Sequence, residues 1–453
     1  MRVYLPAKLT ECLDRVQKVS VRIWMMNHYA TKMLVNEGGR HYWFAKHLKK
    51  QGYEPIIFSC NVKHGEKESA VYFESDKRWT QHESSDGIPF VVIRSSLYTG
   101  NGLSRIKNML IFARNLVKTG QEYAKKYGRP DVILASSVHP LTVFAGQQLA
   151  RKFKVPCICE IRDLWPESIF AYYPKKKNGP LAKLLYAGEK YMYKRADAIV
   201  MTWEGGAQYI KDRGWERAIP EEKIWHIPNG VDLDEFESNR INHVYYDEDL
   251  ADETVFNAVY TGAIRAVNEI DTLVQAARIL QGEGEPQKIR ILIWGAGDRV
   301  EQLKGVIEGE GLECIRYKGV VDKRYIPSLL SQADCCVLHN RSTILDQYGQ
   351  SQNKFFEYLA SAKPVLVTYT VGYSVCERFG CGMELPHQDG ISIAEALKSL
   401  ASGGEATLRR MGEKAKEAAA EYDFARLTEK LVTVIDMLLD EDKKGSGGFH
   451  GKY

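Results

Sequence analysis

Short apolar runs alternate with amphipathic helical patterns along most of the 453-residue chain, and this alternation constrains the fold more than any other feature. Most runs are apolar at nearly every position, so both faces of each strand would be buried. This is typical of a parallel sheet that helices cover on both sides. The predicted strands of the first half are residues 19–26, 55–59, 90–94, 132–136, 156–161, 198–202 and 223–228.

The alternation begins again after residue 254, with predicted strands at residues 255–262, 290–294, 313–319, 334–338 and 364–369. A single hydrophobic core stops growing near about 250–300 residues, so this chain needs two cores. We therefore predict an α/β protein of two Rossmann-like, doubly wound domains with a cleft between them. The predicted boundaries are 1–233 for the first domain, 234–254 for a polar linker, 255–421 for the second domain and 442–453 for a disordered tail.

Charge is divided unevenly between the halves. Residues 1–235 carry 37 Lys and Arg against 25 Asp and Glu, whereas the remainder carries 25 against 33. This asymmetry indicates that the halves meet different partners. A helical pattern at residues 103–127 combines basic residues with an apolar side, which is typical of a helix at a membrane surface and equally of a helix that covers a sheet. The apolar side is formed by Ile106, Met109, Leu110, Ala113 and Val117.

Composition also disfavours several classes of protein. No apolar run approaches the roughly 18–20 residues that span a bilayer, and the N-terminus lacks a signal-peptide core, so we expect a cytoplasmic protein. The nine cysteines lack zinc-site spacing and are predicted to be buried, free thiols. The basic residues have no interleaved aromatic platform, which disfavours nucleic-acid binding.

Ligands of open parallel sheets bind beyond the carboxyl ends of the strands, so the loops at these ends hold the candidate site residues. Gly38 and Gly39 follow the first strand and lead into a helix, where the backbone can approach an anion, although such a pair is also an ordinary turn. His139 follows the strand at 132–136 and precedes Pro140, which suits a first helical turn. A structural hydrogen bond is the alternative interpretation of this histidine.

A third loop follows the strand at residues 156–161 and contains Arg162, Asp163 and Trp165. Polar groups pair with sugar hydroxyls and aromatic rings stack on the apolar faces of sugars, so this loop suits a carbohydrate. A capped helix start with an Arg–Asp pair is an equally good interpretation.

Residues 348–367 form the most informative segment. Lys354 stands in the first turn of a predicted helix, where a cation opposes the helix dipole unless an anion occupies the site. Glu357 lies on the same face and could accept hydrogen bonds from two ribose hydroxyls. A polar loop with amides able to hold phosphate begins the helix: Ser351, Gln352 and Asn353. A plain amphipathic helix does not explain the lysine.

Several motifs occur in an order that is similar to one family. They are NHYA with GGRHYWFAKHLKKQGYE, SSVHP, EIRDLWPES, IPNGVDLDEF, YTGAIRAVNEIDTL and NKFFEYLASAKPVLV, between about Val19 and Tyr422. The chain resembles the retaining glycosyltransferases of family four, which have the GT-B fold, and within them the bacterial cell-surface polysaccharide branch. The resemblance implies that the second domain binds a nucleotide sugar, with a UDP-sugar favoured. It also implies that helix 422–441 packs back on the first domain, which would bind the acceptor.

The resemblance implies roles for individual residues. Glu357 would hold the ribose, and Lys354 with Arg265 would hold the diphosphate. Further donor contacts would come from Ser351, Gln352, Asn353, Gly262, Gly295, Gly38 and Gly39. The catalytic residues would be His139, Lys354 and Arg265. The acceptor, a saccharide or a polyprenyl-diphosphate-linked sugar, would contact Arg162, Asp163 and Trp165.

Three positions depart from the family pattern. Ala263 and Asn268 stand where many relatives have Arg and Lys, so Arg265 takes their place in this prediction. Gly349 stands eight residues before Glu357, where many relatives have a glutamate that contacts the donor sugar. The identity of the sugar is therefore not implied by the resemblance.

Retaining transfer of a hexosyl or hexosaminyl group would need no cofactor and no metal. Asp232 and Asp234 have the spacing of a metal-binding pair, but they lie within the IPNGVDLDEF motif. Three alternatives stay open: a nucleotide-sugar epimerase of the same fold, a nicotinamide dehydrogenase and a non-catalytic nucleotide-sugar-binding protein. The dehydrogenase is disfavoured because Val300 replaces the third glycine of a pattern that begins at Gly295. We further expect a peripheral contact with the anionic inner face of the plasma membrane.

Overall fold

The computed structural model describes residues 20–63, 68–74, 76–100, 102–137, 139–283 and 288–446. The chain divides into two compact units. Unit 1 comprises residues 1–161, 195–199 and 432–453, and unit 2 comprises residues 162–194 and 200–431.

The first sheet contains eight strands. They are β1 Arg22–Met26, β2 Glu54–Cys60, β3 Trp79–Glu83, β4 Pro89–Ile93, β5 Val132–Ser136, β6 Cys157–Ile161, β7 Ala198–Met201 and β8 Ile224–His226. Their order in the sheet is β3-β4-β2-β1-β5-β6-β7-β8. The β1, β2, β4, β5 and β6 strands pair in parallel, whereas β3 pairs antiparallel with β4.

The second sheet contains six strands. They are β9 Phe256–Thr261, β10 Ile289–Trp294, β11 Ile315–Gly319, β12 Cys335–Leu338, β13 Val365–Val367 and β14 Gly382–Glu384. All neighbouring pairs are parallel, and their order is β11-β10-β9-β12-β13-β14. Numbered from β9, this is the doubly wound Rossmann order 3-2-1-4-5-6. The predicted fold class is confirmed.

Helices connect the strands of both sheets. The first eight are α1 Thr31–Asn36, α2 Arg40–Lys50, α3 Leu103–Tyr127, α4 Pro140–Phe153, α5 Glu167–Phe170, α6 Pro180–Lys194, α7 Gly206–Asp212 and α8 Leu233–Asn242. The others are α9 Asp271–Gly282, α10 Val300–Gly309, α11 Ile326–Ser331, α12 Asn353–Ala360, α13 Val375–Phe379, α14 Gly390–Ser402, α15 Glu405–Glu421 and α16 Phe424–Ser446. Single 3₁₀ turns occur at Pro174–Lys176, Glu221–Lys223, Ala266–Asn268, Lys323–Tyr325 and Ile344–Tyr348.

Buried side chains cover both faces of the second sheet. Phe355, Phe356 and Leu359 of α12 pack on one face. Leu273 of α9 and Leu397 of α14 pack on the other. The eight cysteines in the described ranges are buried and free, as predicted, and Cys12 lies outside these ranges.

Several local features differ from the sequence prediction. The β3 and β14 strands were not predicted, and the segment after β1 contains the short helix α1. The predicted linker contains most of α8, whose first turn is capped by the Asp232 side chain accepting from the Glu235 amide at 2.9 Å. The C-terminal helix continues to Ser446, into the predicted tail, and residues 447–453 lie outside the described ranges.

Within unit 1, the hydroxyl of Tyr53 at the start of β2 donates to Asp436 of α16 at 3.0 Å. The C-terminal part of α16 therefore contacts the first sheet at the start of β2, and both belong to unit 1. No helix among the described residues is long and apolar enough to cross a bilayer.

Candidate functional site

In the second sheet the strand order reverses between β9 and β12: the strands before this point are added on one side and those after it on the other. Ligands of doubly wound sheets bind at the carboxyl ends of the strands at such a point. Lys354, in the first turn of α12, reaches this place. Its Nζ lies 4.2 Å from the centroid of the Tyr260 ring in β9. The same amine donates to the carbonyl oxygen of His339, directly after β12, at 3.2 Å. The topology thus puts a cation where an anionic ligand is expected.

Burial controls the charge of this cation. Desolvation lowers the pKa of the Lys354 amine to about 7, and no carboxylate in the described ranges forms an ion pair with it. His339 is also buried, which lowers its pKa to about 4 and keeps its imidazole neutral. An anion bound in this place would therefore favour the charged form of the amine.

Two glycines bring the ends of β9 and β10 together. A Cβ atom on Gly295 would lie 1.7 Å from the carbonyl oxygen of Gly262, so no larger residue fits there. A Cβ atom on Gly262 would lie 3.2 Å from the Lys354 amine. Three of the predicted site residues, Gly262, Gly295 and Lys354, are thus brought together.

The start of α12 presents main-chain amides beside the amine. Gln352 is the N-cap residue in extended conformation, and no side chain caps the helix. The amides of the first turn and the helix dipole favour an anion at such an end. Asn353 is exposed at this end, and Lys354 follows it.

Glu357 and Arg265, the other two residues predicted to bind the nucleotide, differ from Lys354 in their contacts. Glu357, half-buried on α12, forms an ion pair with Lys323 at 3.3 Å. Arg265 is exposed, and within the described residues its side chain has no hydrogen-bond or ion-pair partner. Glu357 thus has a competing cation, and Arg265 has no contact that fixes its guanidinium.

A pocket of about 460 Å³ lies within unit 2 next to the start of α12. It is lined by Arg162, Asp163, Ser168, Tyr172, Trp203, Asn229, Asn340, Thr343, Leu345, Asp346, Gln350, Ser351, Gln352 and Asn353. Five predicted site residues are therefore brought together: Arg162, Asp163, Ser351, Gln352 and Asn353. Trp165 is not a lining residue. Burial among the pocket walls raises the pKa of Asp163, and the adjacent Arg162 opposes this shift.

Asp346 is a carboxylate of the pocket that the sequence analysis missed. It completes a capping box, in which its side chain accepts from the Thr343 amide at 2.6 Å. The Ser342 hydroxyl donates to the same oxygen at 3.2 Å. Burial raises the pKa of Asp346 to about 6. Its other oxygen, Oδ1, is available to accept from a ligand hydroxyl in the pocket. The Thr-x-x-Asp spacing was the signal that could have indicated a helical turn here.

Asn229, within the IPNGVDLDEF motif, is the second polar residue that had no predicted role. Its main-chain amide donates to the Ser351 hydroxyl at 2.8 Å and its Nδ2 donates to the Ser351 carbonyl at 2.6 Å. Its buried Oδ1 has no hydrogen-bond partner among the described residues. A buried acceptor at a pocket wall loses its hydration without compensation unless a ligand donates to it.

His139 belongs to unit 1. It follows β5 at the point where the strand order of the first sheet reverses, between β1 and β5. It precedes Pro140, which occupies the first turn of α4 as predicted. Its Nε2 shares a hydrogen bond with Nδ1 of His28, which follows β1. Burial, with a smaller effect of Arg105, lowers the pKa of His139 to about 3. Its Nδ1 is buried and has no partner among the described residues, so this neutral imidazole keeps one ring nitrogen for a ligand.

Gly38 and Gly39 precede α2 in unit 1. Gly39 is the N-cap residue with a φ of 104°, a conformation that favours glycine. The next residue, Arg40, donates to the buried Glu160 at the end of β6 at 2.6 Å, and the other Glu160 oxygen contacts His41 at 2.7 Å. The glycine turn is thus fixed to the sheet by a buried carboxylate.

The described residues contain no group of three or more His, Cys, Asp or Glu side chains placed to hold a metal ion. Asp232, one of the two aspartates with metal-pair spacing, uses its side chain to cap α8.

Two models of known families match the chain. Residues 42–235 match Glycosyltransferase Family 4, and residues 256–403 match Glycosyl transferases group 1. No curated protein sequence matches the chain.

Solved structures have the same fold at low identity. Sucrose-phosphate synthase from Thermosynechococcus elongatus is 18% identical, with a TM-score of 0.64 over 93% of this chain and 100% of that chain. HepE from Anabaena in complex with UDP is 12% identical, with a TM-score of 0.60 over 92% and 100%. An E. coli protein described as trehalose-6-phosphate, bound with UDP-2-fluoro glucose, is 12% identical, with a TM-score of 0.67 over 91% and 98%.

The two family models lie in series and together match roughly three quarters of the chain, and their boundary falls between the first sheet and the second. The chain is a glycosyltransferase of the GT-B fold.

Proposed function

We propose that this protein is a retaining glycosyltransferase that moves a hexosyl or hexosaminyl group from a UDP-sugar to a saccharide or polyprenyl-diphosphate-linked acceptor, in cell-surface polysaccharide synthesis. The observation that carries the proposal is that the Lys354 amine, held over the Tyr260 ring without a carboxylate partner in the described ranges, stands beside a polar pocket at the start of α12. Two of the similar structures hold UDP or a UDP-sugar analogue, which supports the choice of nucleotide.

The diphosphate would bind at the start of α12. Lys354 supplies the charge, the first-turn amides supply hydrogen bonds, and the glycine contact between Gly262 and Gly295 leaves room for close approach. Arg265 is exposed and lies four residues after the end of β9. Its guanidinium would contact the phosphates only when they are bound. Glu357 would exchange its ion pair with Lys323 for the two ribose hydroxyls.

The transferred sugar would occupy the pocket. A sugar bonded to the β-phosphate lies next to that phosphate, and Gln350 to Asn353, which line the pocket, directly precede or begin α12, where the diphosphate would bind. Hydroxyl groups of the sugar would donate to the Asn229 Oδ1 and to the Asp346 carboxylate. The Tyr172 and Trp203 rings offer apolar surface for its faces.

Catalysis on this proposal is electrostatic. The acceptor hydroxyl attacks C1 from the face that the diphosphate leaves, so the anomeric configuration is retained; the bond from C1 to the phosphate oxygen breaks, and the hydroxyl proton passes to that oxygen. Negative charge grows on the leaving phosphate, where Lys354, Arg265 and the helix amides stabilise it. His139, as a neutral imidazole, would orient sugar hydroxyls, and Gly38 and Gly39 would contact the diphosphate. No metal and no cofactor takes part.

Acceptor binding is assigned to Arg162, Asp163 and Trp165. The Asp163 carboxylate and the Arg162 guanidinium both line the pocket, where the carboxylate can accept from acceptor hydroxyls and the guanidinium can bind a phosphate of the acceptor. Trp165, which does not line the pocket, would contact a part of the acceptor outside it.

The proposal also puts the enzyme in the cytoplasm, in peripheral contact with the anionic inner face of the plasma membrane. On α3, the buried face consists of Phe112, Leu116 and Tyr123, whereas Ile106 and Leu110 of the predicted apolar side are exposed. The exposed apolar residues with their basic neighbours support a membrane contact.

The test is calorimetric titration of UDP and a panel of UDP- and GDP-sugars into the wild type, Lys354→Met and Asp346→Asn. We expect Lys354→Met to weaken UDP binding about 100-fold, because a charge-assisted contact to phosphate is lost. Asp346→Asn should bind UDP like the wild type but bind its UDP-sugar about tenfold more weakly. Equal UDP affinity of Lys354→Met and the wild type would remove the proposal's basis.

Turnover distinguishes the alternatives. A glycosyltransferase releases UDP and forms a glycosylated acceptor, and its activity persists in EDTA if no metal takes part. An epimerase would instead convert the UDP-sugar without an acceptor, and a binding protein would give neither product.

A further inference from the structure

The α6 helix in unit 2 has one buried face and one exposed face, and the exposed face carries large apolar side chains. Its buried face consists of Ala182, Tyr186, Glu189, Met192 and Tyr193. The opposite side exposes Leu181 by 66% and Leu184 by 68%, and Tyr191 by 47%. At 3.6 residues per turn and 1.5 Å per residue, these three positions form one stripe along about 15 Å of helix.

Exposed leucines are not scattered over this protein. Among the described residues, every largely exposed leucine lies between Leu97 and Leu184, in the basic half of the sequence. In the described part of the second half, which is of similar length, every leucine is buried or half-buried. A single exposed leucine needs no explanation, but a stripe of large apolar side chains on one helix marks an interaction surface.

The segment of chain that carries this stripe exposes charges of one sign. Between Glu167 and Asp197 the chain has six lysines and one arginine, and its one acidic residue, Glu189, is buried. Lys175 and Lys176 are exposed in the 3₁₀ turn before the helix, and Lys183 and Lys194 are exposed on one flank of the stripe.

We infer that this surface, the α6 face (Leu181, Leu184 and Tyr191 with Lys175, Lys176 and Lys183), docks on an anionic lipid membrane. The leucines and the tyrosine enter the boundary between headgroups and acyl chains, and the lysines bind the acidic headgroups. The inference concerns the attachment of the protein and holds whichever sugar is transferred.

Other occupants of the α6 face fit the observations less well. In a twofold dimer the same residues meet themselves, so the lysines of each copy would face those of the other. A nucleic acid would match the charge but not a centre made of leucines. A lipid surface satisfies both the apolar stripe and its basic flank.

The test uses co-sedimentation to measure binding of the full-length chain to vesicles. The vesicles consist of neutral phosphatidylcholine, with or without about 30 mole per cent of anionic phosphatidylglycerol. We expect binding to the anionic vesicles, weakened by salt. Leu181→Glu with Leu184→Glu should weaken it at least about 100-fold, since each leucine contributes about tenfold. Replacing Lys175, Lys176 and Lys183 with Gln should also weaken it about 100-fold, at about fivefold for each charge.

The matched control is Ile391→Glu on α14, because Ile391 is an apolar side chain with a similar exposure of 62% in the acidic half. It should bind vesicles like the wild type. Circular dichroism and the thermal midpoint show that the leucine variant is folded, as substitutions of exposed side chains should be nearly neutral.

Vesicle binding of the leucine variant equal to that of the wild type overturns the inference and assigns any membrane contact to another surface. A wild-type dimer that the leucine variant dissociates, without vesicle binding, overturns it in favour of a second copy. UDP-sugar turnover on a water-soluble acceptor is measured in parallel. Loss of vesicle binding with unchanged turnover supports the inference, and vesicle binding by a chain without turnover would contradict the proposed function alone.

Discussion

A desolvated amine without a carboxylate partner is unfavourable in a folded protein, and the amine of the half-buried Lys354 is such a group. The Tyr260 ring and the His339 carbonyl oxygen compensate only in part. Because its pKa is about 7, near pH 8 the amine is mostly neutral in the unliganded protein. A diphosphate beside it favours the charged form and raises this pKa.

Nucleotide binding should therefore take up a proton. At pH 8 we expect an uptake of about 0.9 proton per UDP in the wild type, falling towards zero near pH 6, where the amine is already charged. Calorimetry in two buffers with different ionisation enthalpies measures this number. Lys354→Met should abolish the uptake, whereas Lys304→Met, at an exposed lysine of α10, should leave it unchanged. An uptake of zero at pH 8 in the wild type would contradict the proposed contact.

The candidate site was predictable where one contiguous segment forms it. Lys354 and the polar loop before it were found because a cation in a first helical turn conflicts with the helix dipole. Asp346 and Asn229 were missed because each has an ordinary local explanation, a capping turn and a loop. Only the tertiary structure brings their separate segments to one pocket wall.

Gly349 shows why the expected glutamate is absent from its family position. Its φ is 102° and its ψ is −167°, a region that is essentially restricted to glycine. Asp346, three residues earlier, lines the pocket instead.

Restoring the family residue should therefore be harmful. We expect Gly349→Glu to reduce the free energy of unfolding by about 1–3 kcal/mol, measured by urea denaturation. Gly102→Glu is the control, because Gly102 has a φ of −89° and open space around its Cβ position. An unchanged stability of Gly349→Glu, or a tighter UDP-sugar complex, would show that the backbone accepts the side chain.

At the scale of the element, burial explains which strands could be predicted. The strands buried on both faces were found because their sequences are apolar runs. The β3 strand was missed because its sequence, WTQHE, is half-exposed and pairs antiparallel at an edge, and β14 has only three half-buried residues. The α8 helix was assigned to a linker because its sequence is mostly polar, and only one of its residues, Phe236, is buried.

The packing of α6 on α7 should make the stability depend on pH. Tyr209 of α7 donates to both oxygens of Glu189 at 2.9 and 3.0 Å, and burial raises the pKa of Glu189 to about 8. The unfolded chain releases this proton near its ordinary pKa of 4.5, whereas the folded chain retains it up to about pH 8. Stability should therefore fall as the pH rises from 4.5 to 8.

Glu189→Gln keeps the shape and removes the titration. We expect it to unfold at about the same urea concentration as the wild type at pH 4.5, and to be more stable by about 1–2 kcal/mol at pH 9. Glu301→Gln, at an exposed glutamate of α10, should behave like the wild type at both values. Parallel pH curves of Glu189→Gln and the wild type would mean that the carboxylate is compensated in its ionised form.

At the scale of the whole molecule, two Rossmann-like sheets were predictable because the strand–helix alternation occurs twice and one core cannot cover 453 residues. The boundaries of the compact units were harder to predict. Residues 162–194 and 200–233 precede the second sheet in sequence, yet they belong to unit 2 because their side chains pack with residues 340–353. Such packing between distant segments leaves no periodicity in the sequence.

This division implies that UDP should stabilise the folded protein through contacts made in unit 2. At a UDP concentration of 100 times the dissociation constant, the free energy of unfolding should rise by about 2.7 kcal/mol. For a cooperative unit of 150–250 residues, this corresponds to about 5–10 °C in the midpoint of thermal unfolding. Lys354→Met should lose most of the increase at the same UDP concentration, and Ile391→Glu should retain it. An increase with GDP but not with UDP would overturn the choice of nucleotide and leave the site in place, whereas an equal increase in Lys354→Met would show that the nucleotide binds elsewhere.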